Sequence, residues 1–260
     1  CASGMSAIIN AHRAIQTGDG DLFISGGVEN MTRGPWVISK VSKAYGRDAQ
    51  MFDSSFGWRF INPKMKELYG VDGMGTTAEN LADKFNISRE DQDKFALNSQ
   101  TKTQEAILNK KFDEELVKIN YEGNILEQDE HPRIDLNLSD LEKLKTVFKE
   151  NGTVTPGNSS GINDGAAALI LTTLDEAEKK SMEPFAKIVS WASVGVDPSL
   201  MGLGPIEAVR QATKKVNWNL DDIDLFEINE AFASQSIAVI NELNIDKNKV
   251  NVNGGAIALG

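Results

Sequence analysis

The chain has 260 residues, with 27 Lys and Arg against 38 Asp and Glu, a formal net charge of −11 and 40% hydrophobic residues. This composition is typical of a globular protein with one large domain or two small ones. It contains no apolar run near the length of about 18 residues that a membrane span needs, and its acidic balance disfavours a nucleic-acid partner. One Cys and two His residues exclude a disulfide framework and a Cys-rich or His-rich metal site, so we expect no bound metal.

The first predicted elements are a helix and a strand. Apolar residues recur at helical spacing within residues 1–18, and Gly18 suits the left-handed position that ends a helix. A turn at residues 19–21 then leads into the apolar run 22–25, which is predicted to be a buried strand.

Further apolar runs predict strands at residues 166–173, 185–191 and 224–228, with a helix at 205–216 between the last two. Strands that alternate with helices favour an α/β fold with a layered core.

Residues 31–160 have a different pattern, with polar and Gly-rich stretches between helices that carry strong start signals. Helices are predicted at 77–85, from Ser88 onward, and after the capping-box sequence Ser139 to Glu142. We interpret this block as a long insertion folded over the core, where ligand contacts often collect.

Three places offer chemistry. Cys1 opens the first predicted helix, where the macrodipole favours a thiolate, although a lone Cys also fits a buried hydrophobic position. Asn229 follows a predicted strand and opens a helix, a common position for active-site residues, although taken alone it better fits a helix cap. The Gly-rich segment 157–165 allows a ligand to approach the backbone, or simply forms a turn, and it lacks the spacing of a nucleotide-binding loop. His12 is predicted to pack in the core and His131 to lie in a polar loop.

The unusual ends leave three alternatives open. The chain starts at Cys1 and stops within an apolar Gly-rich stretch, so it could be a fragment of a longer chain, an N-terminal-nucleophile hydrolase or a lipoprotein acylated on Cys1. A hydrolase of that kind predicts an antiparallel αββα core, and a lipoprotein predicts a flexible tether after its Cys. The upstream coding sequence would discriminate among the three.

Seven segments, in the same order, closely resemble the thiolase family: 1–7, 26–31, 74–80, 157–165, 201–205, 229–232 and 251–260. The resemblance implies a thiolase fold, an α/β architecture of αβαβα layers with two similar halves. Residues 1–175 correspond to the N-terminal half from the nucleophile onward, with the insertion at about 31–160. Residues 181–260 correspond to a truncated C-terminal half.

The same resemblance implies an acyl-transfer mechanism. Cys1 is expected to form an acyl-thioester, and Asn229 to hold a water that stabilises an enolate oxygen. The family's catalytic His would directly follow Gly260, and its second Cys lies further on. We therefore expect an interior fragment, incomplete at both ends and with little activity of its own.

Coenzyme A or acetyl-CoA is implied as substrate, with no permanently bound cofactor. The expected contacts are Met74, Arg133, Phe148, Ser160 and Phe232. The resemblance also implies acyl-CoA partners, a homo-oligomer (dimer or tetramer) and a cytoplasmic location.

The acyl substrate is suggested by residues 51–63 and Met201 to Gly204, which look like segments of 3-oxoadipyl-CoA thiolases. Arg59 is the expected partner of a distal carboxylate, with Met201 as a second substrate contact. Two alternatives are that Arg59 pairs with Asp53 or Glu67, and that the enzyme is a general 3-ketoacyl-CoA or acetoacetyl-CoA thiolase. Gly73 stands where some biosynthetic members carry a His, which disfavours acetoacetyl-CoA.

Overall fold

The computed structural model describes residues 2–260 of the chain. The prediction for Cys1 lies outside the described residues. Within residues 2–260 the α-helices are α1 (Ser3–Thr17), α2 (Pro63–Tyr69), α3 (Met74–Phe85), α4 (Arg89–Leu108), α5 (Leu138–Glu142), α6 (Leu174–Lys179), α7 (Gly204–Lys215), α8 (Ala233–Leu243) and α9 (Ala256–Leu259). The strands are β1 (Leu22–Glu29), β2 (Trp36–Ile38), β3 (Met51–Asp53), β4 (Ile119–Tyr121), β5 (Asn124–Leu126) and β6 (Gly165–Thr172).

The first helix is confirmed by the structure. Its C-terminus is closed by Gly18, which adopts a left-handed conformation (φ 79°) and donates its N–H to the last turn. α1 packs against β1 and β6. His12 is half-buried on α1 and meets the ring of Trp191 edge-on, with ring centroids 4.9 Å apart, as expected of a packed His.

β1 and β6 pair with each other in antiparallel register, from Leu22 opposite Thr172 to Glu29 opposite Gly165. The predicted strands at 22–25 and 166–173 are therefore confirmed, but the prediction that the first of them is buried is wrong. Ser25 is the only buried residue of β1. The reason is that, within residues 2–260, the two strands form a sheet of their own, on which α1 is the helix that packs.

The predicted strand at 185–191 is also wrong, because this segment is irregular and finds no ladder partner among residues 2–260. Residues 224–228 run extended but make a single bridge, between Phe226 and Val250. The apolar pattern at 224–228 therefore predicts an extended chain correctly. It does not predict whether that chain pairs with a neighbouring strand, because the partner lies elsewhere in the sequence.

The described core is mainly helical. α4 packs against α5, α8 and α9, and α3 packs against α8. One cluster joins α7 and α8 to Phe226 and Val250, and a second joins α4 and α8 to Leu141 and Ile257. The helices predicted at 77–85 and 205–216 correspond to α3 and α7, so helical periodicity predicted the elements that carry the core.

Of two helix starts predicted from capping residues, one is confirmed and one is wrong. Ser88 caps α4 as expected, because its Oγ accepts the N–H of Asp91 at 3.1 Å. The capping box at Ser139 is wrong: Asn137 caps α5 by accepting the N–H of Asp140, and the helix ends at Glu142. An Asn two residues upstream offers the same acceptor and begins the helix earlier.

Buried carboxylates hold the loop that leads into the Gly-rich segment. Glu79 on α3 accepts the backbone N–H groups of Thr153 and Val154, each at 2.8 Å to Oε1. Asp93 on α4 accepts Asn158 Nδ2–H at 2.9 Å. Because unsatisfied buried donors are costly, these bonds fix the loop against both helices. None of the helices in residues 2–260 combines the length and the apolar character needed to cross a membrane.

Candidate functional site

Asn229 lies in an extended segment whose side chains alternate between buried and exposed. Ile228 and Glu230 are buried, and Asn229 between them is exposed. Asn251 fixes this segment by accepting Ile228 N–H at 2.8 Å and donating to the Ile228 carbonyl at 2.8 Å. The prediction that Asn229 opens a helix is wrong, as is its alternative role as a cap, because α8 begins at Ala233 with Phe232 in the capping position. The side chain of Asn229 is therefore available to a ligand.

The Gly-rich segment 157–165 lies directly beside residues 231–233. Ser160 donates its N–H to the Ala231 carbonyl at 3.0 Å, and Ala233 donates to the Asn158 carbonyl at 2.9 Å. Ser159 and Phe232 form an antiparallel bridge between these bonds. The Gly-rich segment 157–165 and the segment 229–232, which the sequence indicates as separate candidates, are thus joined by backbone hydrogen bonds.

Aromatic side chains extend this site toward α3. The rings of Phe148 and Phe232 meet edge-on with centroids 6.2 Å apart. Gly75 has no room for a Cβ, because the Phe148 ring fills that space. Met74 begins α3 beside Gly75, and both Met74 and Phe148 keep more than two fifths of their side chains exposed. The structure therefore places Met74, Phe148 and Ser160 around Phe232, which itself is buried in a cluster with Ala78 and Val154.

Arg133 is anchored by a different set of contacts. The backbone N–H of Arg133 donates to Gln100 Oε1 on α4 at 2.8 Å, and the residue itself is exposed. Gln100 Nε2 and His131 Nε2 each lie 3.3 Å from the carbonyl of Ile257. Within residues 2–260, the hydrogen bonds of Arg133 link it to α4 rather than to Phe148 or Ser160.

Arg59 lies in an exposed loop and donates from Nη1 to the carbonyl of Gly57 at 2.9 Å. The alternative ion pair with Asp53 or Glu67 does not form between the described residues. Asp53 instead accepts Ser55 N–H at 2.8 Å. The guanidinium of Arg59 therefore keeps most of its donors for another partner.

A contact that the sequence did not reveal connects this loop to Met201. Trp58 Nε1–H donates to the Asp72 carbonyl at 3.0 Å. Asn80 on α3 donates to Asp72 Oδ2 and to the Ser199 carbonyl, each at 3.1 Å. Met201 lies in the same 3₁₀ turn (Pro198–Leu203) as Ser199. Both predicted substrate contacts are thus tied to α3 through one amide side chain.

Glu230 is a buried residue of the site to which the sequence analysis assigns no role. Its carboxylate is buried and accepts from Ser99 Oγ at 2.6 Å, Asn251 Nδ2 at 2.9 Å and Ile257 N–H at 3.2 Å. Lys102 lies nearby, and desolvation lowers its pKa while the negative charge of Glu230 opposes that shift. The alternation of apolar and polar residues from Phe226 to Glu230 is the signal that predicts a buried acid here.

The whole chain is similar to known proteins. The thiolase N-terminal domain profile matches residues 1–175, and the thiolase C-terminal domain profile matches residues 182–260. The beta-ketoadipyl-CoA thiolase of Pseudomonas aeruginosa is 48% identical over 266 residues, which cover all of this chain and 66% of the relative. The 3-oxoadipyl-CoA/3-oxo-5,6-dehydrosuberyl-CoA thiolase of Escherichia coli K12 is also 48% identical, with 100% and 67% covered.

A solved structure agrees with these sequence relatives. Human mitochondrial 3-ketoacyl-CoA thiolase in complex with CoA superposes with a TM-score of 0.90 and 40% identity, covering all of this chain and 65% of that one. The chain spans about two thirds of the length of the curated relatives it matches. The superposition confirms the predicted α/β fold class.

Proposed function

Because the chain belongs to the thiolase family, we propose that it is part of an acyl-CoA C-acyltransferase that makes or cleaves 3-oxoacyl-CoA through an acyl-thioester on Cys1. The observation that carries this proposal is the backbone pairing of residues 158–160 with residues 231–233, which begin two residues after exposed Asn229 and include one ring of the Phe148–Phe232 pair. It joins an exposed amide donor to a partly apolar surface that could carry the arm of an acyl-CoA. Family membership displaces the hydrolase and lipoprotein alternatives.

The chemistry assigned to these residues is acyl transfer between two thiols. The Cys1 thiolate attacks the thioester carbonyl, the acyl group moves to Cys1, and coenzyme A leaves as the thiol after taking up a proton. A second acyl-CoA then loses an α-proton to a general base of the full-length protein. The resulting carbanion attacks the Cys1 thioester, and the new C–C bond forms as the C–S bond to Cys1 breaks, which gives the 3-oxoacyl-CoA and returns Cys1 as the thiolate. The Asn229 amide donates, directly or through water, to the enolate oxygen that forms in this step.

Coenzyme A is the proposed ligand of the surface between α3 and residues 157–165. Met74, Phe148 and Phe232 would contact the pantetheine arm, Ser160 would hydrogen-bond to it, and Arg133 would meet the nucleotide phosphates. The proposal includes no permanently bound cofactor and a homo-oligomer, dimer or tetramer, in the cytoplasm. It keeps the two halves at 1–175 and 181–260, with the insertion at about 31–160.

We propose 3-oxoadipyl-CoA as the acyl substrate, with Arg59 as anchor for the distal carboxylate and Met201 as a second contact. The proposal is supported by the names of the relatives at 48% identity and by the absence of an acidic partner for Arg59 within residues 2–260. A general 3-ketoacyl-CoA thiolase is the second candidate, favoured by the 40% identity to the human enzyme.

Mass spectrometry tests the nucleophile in the full-length protein containing these residues. After incubation with acetyl-CoA we expect an adduct of about 42 Da on Cys1, lost in Cys1→Ser. Asn229→Ala should still form the adduct but condense at least about a hundredfold more slowly, because it lacks the enolate donor. An adduct on another residue would refute the assignment of Cys1.

A substrate pair tests Arg59. The ratio of kcat/KM for 3-oxoadipyl-CoA over 3-oxohexanoyl-CoA, a chain of equal length without the acid, should be roughly a hundred. Arg59→Met should bring that ratio to near one, whereas Arg47→Met, a matched exposed arginine, should leave it unchanged. Equal loss of both substrates in Arg59→Met would favour the general 3-ketoacyl-CoA thiolase.

A further inference from the structure

Glu230 is a buried carboxylate without an ion-pair partner among residues 2–260, and the acyl-transfer chemistry above does not use it. It is 2% exposed. Its neighbour in the chain, Asn229, is exposed, and in an extended segment successive side chains point in opposite directions. Glu230 therefore points into the protein at the position where Asn229 points out.

Every hydrogen-bond partner of Glu230 in the described residues is a donor. Oε1 accepts from Asn251 Nδ2, and Oε2 accepts from Ser99 Oγ and from Ile257 N–H. The Asn251 amide cannot turn over, because its other contacts, to the N–H and the carbonyl of Ile228, fix which atom is the donor. Both terminal atoms of this side chain must therefore accept hydrogen bonds, which the two oxygens of a carboxylate can do and the NH₂ group of an amide cannot.

These contacts join three separate parts of the chain. Ser99 lies on α4 and also accepts Gly255 N–H at 3.1 Å. Gly255 has no room for a Cβ, because the Glu230 carboxylate fills that space. Ile228, one residue before Asn229, is held by Asn251, and Glu230, one residue after it, is held by α4 and α9. The backbone on both sides of Asn229 is thereby fixed to the same buried network.

We propose that Glu230 is a positioning residue for Asn229. As an acceptor with two engaged oxygens, it locks the segment 228–230 against α4 and residues 251–257, and so sets where the Asn229 amide points. The role rests on the proposed function, since Asn229 matters only if it meets an enolate.

The test compares Glu230→Gln, which keeps the size of the side chain, with the unsubstituted full-length protein. Whichever way the new amide is placed, its NH₂ group faces the donor of Asn251 or that of Ile257. We expect at least about tenfold faster amide hydrogen exchange at Ile228 and Ile257, and at least about tenfold slower condensation. Acylation of Cys1 and KM for acetyl-CoA should stay within about twofold, which general loosening of the fold would not produce.

Two further variants separate positioning from stability. Glu79→Gln is the matched control, because Glu79 is also a buried carboxylate that accepts backbone N–H groups. It should lower Tm comparably while leaving exchange at Ile228 and Ile257 unchanged. In addition, the double variant Asn229→Ala with Glu230→Gln should condense no more slowly than Asn229→Ala alone, because Glu230 acts through Asn229.

Additive losses in the double variant, or unchanged exchange at Ile228 and Ile257 in Glu230→Gln, would overturn the positioning role. Absence of any acyl-enzyme in the unsubstituted protein would instead refute the proposed function. The exchange measurement does not depend on activity, so the two failures are distinguishable.

Discussion

Replacing Gly75 with Ala tests whether Phe148 forms part of the coenzyme A surface. Two opposing effects set the stability of this variant. Ala in place of Gly at this second position of α3 stabilises the helix by at most about 1 kcal/mol, the difference found at interior positions. The new Cβ would overlap the Phe148 ring, which must move and give up its edge-on contact with Phe232, at a cost of about 0.5–1.5 kcal/mol.

These effects nearly cancel, because Phe148 is 44% exposed and has room to move outward. We therefore expect Tm to change by less than about 4 °C. Coenzyme A affinity should nevertheless fall about fivefold, the equivalent of about 1 kcal/mol, because the ring leaves its place beside Phe232. Differential scanning calorimetry and isothermal titration calorimetry measure the two quantities.

Gly73→Ala is the control for this prediction. A Cβ at Gly73 meets no atom within 4 Å, so Phe148 stays in place and affinity should be retained. If Gly75→Ala binds coenzyme A as tightly as Gly73→Ala does, Phe148 is not part of the binding surface. A fall in Tm of more than about 8 °C would show that the ring cannot move as assumed.

Three further predictions concern stability. Asn158→Ala should cost about 3 kcal/mol in urea unfolding, because it removes the Asn158 bond to buried Asp93; a loss below about 1 kcal/mol would contradict this. The hydroxyl of Thr32 lowers the pKa of Asp164 below 3.8 in the folded protein. Thr32→Val should therefore be less stable than the unsubstituted protein at pH 7, and this difference should disappear once the pH falls below the pKa of Asp164 in the folded protein. Desolvation raises the pKa of Glu227 above 4.5, so Glu227→Gln should raise Tm at pH 7, a gain that disappears below about pH 4.5 because both states are then protonated.

Local patterns predicted the helices well. Gly18 and Ser88 each act within one turn of the chain, so their roles as end and start of a helix could be predicted from neighbouring residues. Asn137 shows the limit of such reasoning, because it lies two residues before Ser139, offers a similar acceptor and is the residue that caps the helix.

Pairing and burial could not be predicted in this way. The runs at 166–173 and 185–191 are both largely apolar, but only the first has a partner strand among residues 2–260. Exposure of β1 and β6 depends on which elements lie against them, which periodicity does not encode. Apolar runs indicate what a segment can bury, whereas the rest of the fold determines what it does bury.

The candidate site was predicted in part. Asn229, Ser160 and Phe232 lie in the recognised motifs, whereas Phe148 was implied by the family resemblance alone. The structure places Ser160 and Phe148 beside the segment 231–233, although the roles of all four residues stay predictions. Glu230 lies inside the motif 229–232 but was given no role of its own, although the alternation of apolar and polar residues from Phe226 onward indicates its burial.

The pairing of β1 with β6 has a consequence for how the chain folds. Where the ladder ends, Thr32 bonds to Asp164 across 132 residues of sequence. Closing a loop of that length costs about 4 kcal/mol of chain entropy before the first ladder bond forms. α1, in contrast, is built from contacts four residues apart. Refolding should therefore develop helical signal early, and the sheet should form late, after the intervening segment has collapsed.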